Sequence, residues 1–371
     1  MRIRPAPLED WLRDYYFAAE IDISSSGVQP YSMAELRAKT GLGTDDMDAL
    51  VFSDGYSLGS QAVRAIIARR WGDGDPGHVM TTSGSSEAIS LVSMALLRPG
   101  DEVVVVQPGY HLLVEFAVAL GCQVRTWWLD AEANWKASLD ELAELVTERT
   151  RAIIVNFPQN PTGTTIGEDE LRTLVRHAER VGAYVLWDAA FAELTYETSS
   201  LPDVSLLYER GISFGTFSKA FGLPGLRFGW CVAPPGVLAD CVHIRDYTTL
   251  HVAPLIELLA GRVLENADSF LAPRLAQARA NRRILREWAD ANEHLSLALP
   301  AGGVAAFPRL HGLADTGQFC TDLFRGHGVL VIPGSCFGSP QYIRLGFGGA
   351  TDELIRGLDM VSDALMKGAG V

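Results

Sequence analysis

The chain reads as an α/β protein: a three-layer α/β/α large domain with a mainly parallel sheet, plus a smaller α+β domain. Three observations predict this. Valine-rich segments without polar alternation, such as Glu102 to Val106, indicate strands buried on both faces. Helical patterns separate most of these strands, as parallel crossovers require. With 371 residues and 48% apolar content, the chain is long enough for one large core and a smaller second one.

Taken in order, Pro7 to Ala18 forms a short amphipathic helix, with Leu8, Trp11, Leu12, Tyr15 and Tyr16 on one side. Ile21 to Ile23 leads into Ser24-Ser25-Ser26-Gly27, a polar run that is either a plain loop or a grip for a carboxylate. Ser53 to Gly59 is a turn, followed by a helix carrying Val63, Ile66, Ile67 and Trp71. Met80 to Ala88 turns into an apolar helix that ends at Leu97. Ser85 and Ser86 at its start are either caps or, with the free amides there, an anion site.

Four strands follow: Glu102 to Val106, Val124 to Leu129, Ile153 to Val155 and Tyr184 to Trp187. Helices lie between most of them, at Leu112 to Leu120, Leu139 to Val146 and Glu168 to Arg180. Ligands of such sheets sit at the carboxyl ends of the strands. There the chain offers Tyr110 and His111, then Asn160-Pro161-Thr162-Gly163, then Asp188: an aromatic face, an amide and a carboxylate. From about Val242 the chain leaves the sheet. Helices at Pro254 to Leu264 and Arg274 to Glu293 precede short strands at Gly302 to Pro308, Val329 to Gly334 and Tyr342 to Phe347, and Asp352 to Met366 closes the chain as a helix. The expected division is residues 1–40 joining the small domain, 41–250 as the large domain and 251–371 as the small one.

The formal charge of −14 disfavours nucleic-acid and membrane-surface partners, which are polyanionic. Five cysteines without a CxxC pair suggest neither a disulfide framework nor a zinc site. No apolar run reaches the roughly 18 residues of a membrane span, and the N-terminus lacks a signal-peptide core. A cytoplasmic protein without a metal is the expectation.

The chain is organised around Gly215 to Trp230, GTFSKAFGLPGLRFGW. Lys219 is one of four lysines and the one flanked by Phe214, Phe217, Phe221 and Leu223. Apolar surroundings disfavour the ammonium, and a neutral amine can form an imine with a carbonyl cofactor. Arg227, eight places on, is an anion clamp with a fixed fork of donors. One ligand would use every group named so far: a pyridine aldehyde carrying a phosphate. Lys219 would meet the aldehyde, Asp188 the ring nitrogen, Tyr110 the ring face and Asn160 the ring hydroxyl. Ser85, Ser86, Thr216, Ser218 and Arg227 would hold the phosphate.

The NPTG turn, the Asp-x-Ala segment and the [S/T]-x-S-K-x-x-G-x-x-G-x-R run occur here in order. In these the sequence resembles the fold type I, pyridoxal-phosphate-dependent aminotransferases of class I/II over nearly its whole length. The resemblance implies pyridoxal 5'-phosphate as cofactor, a homodimer with active sites at its interface, and a small-molecule amino acid substrate. It makes Lys219 the imine-forming lysine and acid/base, Asp188 the partner of the pyridinium, and Asn160 the contact of the ring oxygen. Thr216, Ser218 and Arg227 become the phosphate grip. Arg344, in Tyr342-Ile343-Arg344-Leu345, is implied to bind the substrate carboxylate, and Gly27 to close over it.

Two positions depart from the family. Phe191 stands three places after Asp188, where a tyrosine is usual, and Asp54 stands five places before Gly59, where many members also carry a tyrosine. Either these are tolerated drift, or the cofactor's electronics and the substrate pocket have changed, with Asp54 pairing with a cationic substrate tail. Glu193 and His111 are further candidates for gripping such a tail. PLEDWL, DISSSGV, FSDGYSLG and SFGTFSKAFGLPGLRFGWCV point the same way. They resemble the hydroxyarginine cyclases, a branch that converts 3-hydroxyarginine or dihydroxyarginine into a capreomycidine-type cyclic guanidino acid in antibiotic biosynthesis. The implied steps are α-proton removal by Lys219, loss of the 3-hydroxyl and addition of the substrate's own guanidine to Cβ. A plain aminotransferase using a 2-oxo acid partner is the alternative, and a non-catalytic binding module of this fold is the reading from another class.

Overall fold

The computed structural model describes residues 3–197 and 200–368. Its central sheet consists of β1 (Val79–Thr82), β2 (Glu102–Gln107), β3 (Gln123–Trp128), β4 (Thr150–Asn156), β5 (Tyr184–Asp188), β6 (Gly211–Thr216) and β7 (Gly229–Val232). They lie in the order β1-β7-β6-β5-β4-β2-β3, and every pairing is parallel except the two made by β7.

Because side chains alternate along a strand, each apolar run is divided between two cores. Val104, Val106, Ile153, Val155 and Val185 pack with Leu142, Leu171 and Leu174 from helices Leu139–Leu145 and Glu168–Val181. Val103, Val105, Ile154, Leu186 and Ile212 face the opposite way, onto Leu91, Leu113 and Leu238 of helices Ser85–Leu96, His111–Ala119 and Pro235–Arg245. Each such side chain stabilises the fold by roughly 1.5–3 kcal/mol. The three-layer expectation is met, and the structure adds three strands that the apolar-run criterion does not select: β1, β6 and β7. Their Thr and Gly content hides them. In β6, Gly215 is required by packing, since a Cβ there would overlap the Trp230 ring of β7.

A third core gathers the two ends of the chain. Strands Ala305–Ala306, Ile343–Gly346 and Ile332–Pro333 form an antiparallel sheet with Ile343–Gly346 in the middle. Ile21–Asp22 pairs in parallel with Val329–Leu330, and Ile21, Ile23, Val329, Leu345 and Leu358 share one apolar cluster. The long helix here spans Ala267–Asp290 and continues through Pro273, whereas the sequence suggests a start at Arg274. Phe270 and Leu271 are buried in that cluster, so tertiary packing carries the first turns past a residue with no N–H to give. This pairing of termini brings Ser25 to Gly27 and Arg344 over the carboxyl ends of β4, β5 and β6. No helix among the described residues is long and apolar enough to cross a membrane.

Candidate active site

A cavity of about 430 Å³ lies at those strand ends. Asp188 is the last residue of β5 and Thr216 the last of β6, while Ser85 opens the helix that follows β1. Asn156, the last residue of β4, ties the surrounding loops together. Its side-chain amide donates to the Asp188 carbonyl at 2.8 Å, and its oxygen accepts from the Asn160 amide at 2.9 Å.

Lys219 Nζ donates to Ser26 Oγ at 2.8 Å and lies 5.8 Å above the centroid of the Phe191 ring. Burial, and after it the neighbouring Arg344 charge, pull its amine down from 10.5 to about 8. Asp188 is 5% exposed. Burial pushes its carboxyl up from 3.8 to about 6, opposed by a hydrogen bond from the Ala190 amide at 3.1 Å and by Lys219. An amine that readily loses its proton thus shares one cavity with a carboxylate that readily keeps one.

The anion seat is built mostly of backbone. Helix Ser85–Leu96 has Gly84 at its N-cap and no side-chain cap, leaving its first amides free. Arg227 Nη1 donates to Ser218 Oγ at 3.1 Å, and Thr216 Oγ1 lies 3.1 Å from the same hydroxyl. Arg227 itself has φ of 53°, a left-handed conformation that side chains other than glycine rarely adopt and that tertiary contacts hold here. The approach is close: a Cβ at Gly229 would lie 2.6 Å from the Ser85 nitrogen.

Arg344 is 2% exposed. Its Nη1 donates to Asn160 Oδ1 at 3.3 Å and its Nη2 to the Ser24 carbonyl at 2.9 Å, while its Nε has no hydrogen-bond partner. Burial lowers its guanidinium only to about 10, so it is charged at neutral pH. Tyr110, at the N-cap of helix His111–Ala119, lines the cavity, and burial raises its phenol to about 12. Gly27 also lines it, its Cα backed against the Ser218 carbonyl.

Of the sequence-derived candidates, Lys219, Asp188, Ser85, Ser86, Tyr110, Asn160, Thr216, Ser218, Arg227, Gly27 and Arg344 converge on this one cavity. Asp54 does not. Its side chain is fully exposed, 3.5 Å from His251 Nε2. Glu193 is engaged elsewhere, accepting from Trp71 Nε1 at 2.9 Å and facing Arg70 at 3.6 Å. His111 packs its ring at a tilt against Tyr110, 4.4 Å between centroids, but does not line the cavity. In their place the fold brings in Glu9, Asp22 and Glu353, which strand-end reasoning could not find because they come from the two ends of the chain. Ser26 was visible only as part of a polar run.

The sequence model of the family described as aminotransferase class I and II matches residues 53–360. This chain belongs to that family. Within the aminotransferase family, it is 48% identical to the capreomycidine synthase of Streptomyces vinaceus over 97% of this chain and 93% of that one. It is 29% identical to the aspartate aminotransferase of Thermotoga maritima, covering 84% of this chain and 81% of the relative. Among solved structures, the PLP-dependent cyclase OrfR superposes with a TM-score of 0.95 at 42% identity, covering 99% of this chain and 98% of that chain. The cofactor of this family calls for an amine, a carboxylate and an anion-binding group, and Lys219, Asp188 and Arg227 line this one cavity.

Proposed function

We propose that the protein is a pyridoxal 5'-phosphate enzyme that cyclises a hydroxylated arginine to a capreomycidine-type cyclic guanidino acid. The observation that carries the substrate is the 48% identity to a capreomycidine synthase along almost the full length of both chains. The residues fit the cofactor. The uncapped helix start at Ser85 and the Arg227 fork suit its phosphate, Asp188 its ring nitrogen, Asn160 its hydroxyl and Lys219 its aldehyde. When bound, this group stabilises negative charge developing at the substrate's α-carbon.

The chain's own residues do the rest. Arg344 holds the α-carboxylate, its buried guanidinium supplying the opposite charge. Lys219 Nζ, neutral in a substantial fraction near pH 8, takes the α-proton and later returns it to Cα. The 3-hydroxyl departs, a guanidine nitrogen adds at Cβ, and the proton that nitrogen sheds completes the departing water. The balance is loss of one water with no change of oxidation state. Holding the tail folded over Cβ favours ring closure over escape. Phe191, lying under Lys219, offers no hydroxyl to the cofactor. A homodimer is part of this reading, supported by the exposed apolar strip Val51, Phe52 and Tyr56, which are 73%, 80% and 76% exposed around Asp54.

The deciding experiment is to incubate the purified holoenzyme with 3-hydroxyarginine and no 2-oxo acid, and to identify the product by mass spectrometry and NMR. A cyclic guanidino acid lighter by one water is expected, with the amine retained. Strict dependence on an oxo acid would make the protein an aminotransferase. A second expectation concerns the anion seat. Gly229→Ala pushes the Gly84–Ser85 peptide away from β7, a strain of about 1–3 kcal/mol, and should weaken cofactor binding about tenfold or more. Titration of apoenzyme with the cofactor measures it; unchanged affinity would show that the seat lies elsewhere.

A further inference from the structure

The charges lining the cavity do not cancel in space. Arg227 and the helix start answer a phosphate, and Asp188 answers a ring nitrogen. Arg344, buried, charged and lining the same cavity, answers a carboxylate. Three carboxylates are then left over: Glu9, Asp22 and Glu353. Asp10, beside Glu9, is paired with Arg13 at 2.7 Å, yet Glu9 enters no ion pair among the described residues. Nor do Asp22 and Glu353. Asp22 and Glu353 are neighbours, because the Asp22 amide donates to Glu353 Oε1 at 3.1 Å. Asp22 Oδ1 is taken up by the Ser24 amide and hydroxyl, at 2.8 and 2.6 Å. One oxygen of each carboxylate therefore remains uncommitted. Tyr16, from the turn that follows the helix Pro7–Tyr15, lines the same end of the cavity, and both carboxylates hold its phenol above its ordinary range, after burial.

We propose that Glu9, Asp22 and Glu353 form an anionic subsite that receives a guanidinium, making them the residues that restrict this enzyme to arginine-type substrates. Two adjacent carboxylates and an aromatic face suit a planar cation, which spreads its donors over both acids and lays its face on the ring. A neutral or acidic side chain would leave three like charges crowded at the cavity without a counter-ion, an unfavourable arrangement that excludes it. Glu9 differs from the other two in bearing on Lys219, whereas Asp22 bears on Arg344 more strongly than Glu9 does. Glu9 thus takes the side of the guanidinium nearer Lys219, with Asp22 and Glu353 on its other side, bending the tail back toward Cβ. The assignment rests on the cyclisation reading given above.

The test uses the holoenzyme and measures dissociation constants, by calorimetry, for L-arginine and for L-citrulline, its neutral near-isostere. Arginine, lacking the 3-hydroxyl, binds without cyclising. Wild-type enzyme should bind arginine at least tenfold tighter. Glu353→Gln and Glu9→Gln should each weaken arginine about tenfold while changing citrulline less than about twofold, and Asp22→Asn with Glu353→Gln should abolish the preference. With 3-hydroxyarginine, Glu353→Gln should raise KM, while Glu9→Gln should also lower kcat by letting the tail straighten. Equal weakening of both ligands, or no preference in the wild type, overturns the subsite. Asp22→Asn is compared only if its circular dichroism matches wild type, and the Glu9 and Glu353 variants decide the matter without it. Failure of the parent reading looks different: arginine preference and its loss in the variants would persist, but the product would be a 2-oxo acid.

Discussion

Lys219→Ala is expected to abolish turnover, lowering kcat by about four orders of magnitude or more, since it removes both the acid/base and the amine that receives the cofactor. The visible absorbance of the lysine–cofactor imine should vanish with it, although phosphate and ring contacts still permit binding. The change has a signature in the apoprotein as well. In the folded state the Lys219 amine titrates near 8 instead of 10.5, so between those values the unfolded chain carries more bound proton than the folded one. Wild-type apoprotein should therefore gain stability as pH rises from about 8 to 10.5, and the alanine variant should lack that rise. Denaturant titrations at pH 7.5, 9 and 10.5 measure it. A variant that keeps even a hundredth of wild-type turnover would show that another group moves the α-proton.

Asp188→Asn should separate stability from function. The carboxyl titrates near 6 when folded and 3.8 otherwise, so the folded state holds the extra proton between those values. Its stabilising effect is complete below about pH 4 and is lost as pH rises through 6. Above that, apoprotein carries an ionised buried carboxylate at a cost on the order of 3 kcal/mol. Asparagine has no charge to bury. The variant apoprotein should therefore be more stable than wild type at pH 7 to 8, with the difference closing below pH 4. The holoenzyme should behave oppositely, with kcat reduced about a thousandfold or more and a smaller rise in Tm on adding the cofactor, because the pyridinium has lost its counter-ion. Apoprotein less stable than wild type at pH 8 would mean that Asp188 is already compensated without a ligand.

The pattern behind both results is a site held ready at the expense of the empty protein. A desolvated amine, a desolvated carboxylate, an uncapped helix and an arginine in a left-handed conformation are each unfavourable alone. On the proposed reading the amine, the carboxylate and the helix start are each answered by one part of a single ligand, so cofactor binding and folding are coupled.

Much of this was legible in the residues themselves. The apolar runs of β2 and β4 announce a sheet covered on both faces, and the short-range motifs around Asn160, Asp188, Lys219 and Arg227 name the cofactor, because their chemistry depends on neighbours a few positions away. What the order of residues does not carry is the company that distant segments keep. Lys219 meets Ser26 across 193 positions, Arg344 meets Asn160 across 184, and Asp22 meets Glu353 across 331. No local pattern marks Glu9, Asp22 or Glu353 as anything but surface acids, while Asp54 and Glu193, equally plausible by composition, turn outward to His251 and to Trp71. Local sequence determined the fold class and the chemistry of the cofactor, since backbone geometry and short-range spacing suffice for both. Which charges face the substrate was decided only when the packing of the two chain ends against one apolar core brought them to a common cavity.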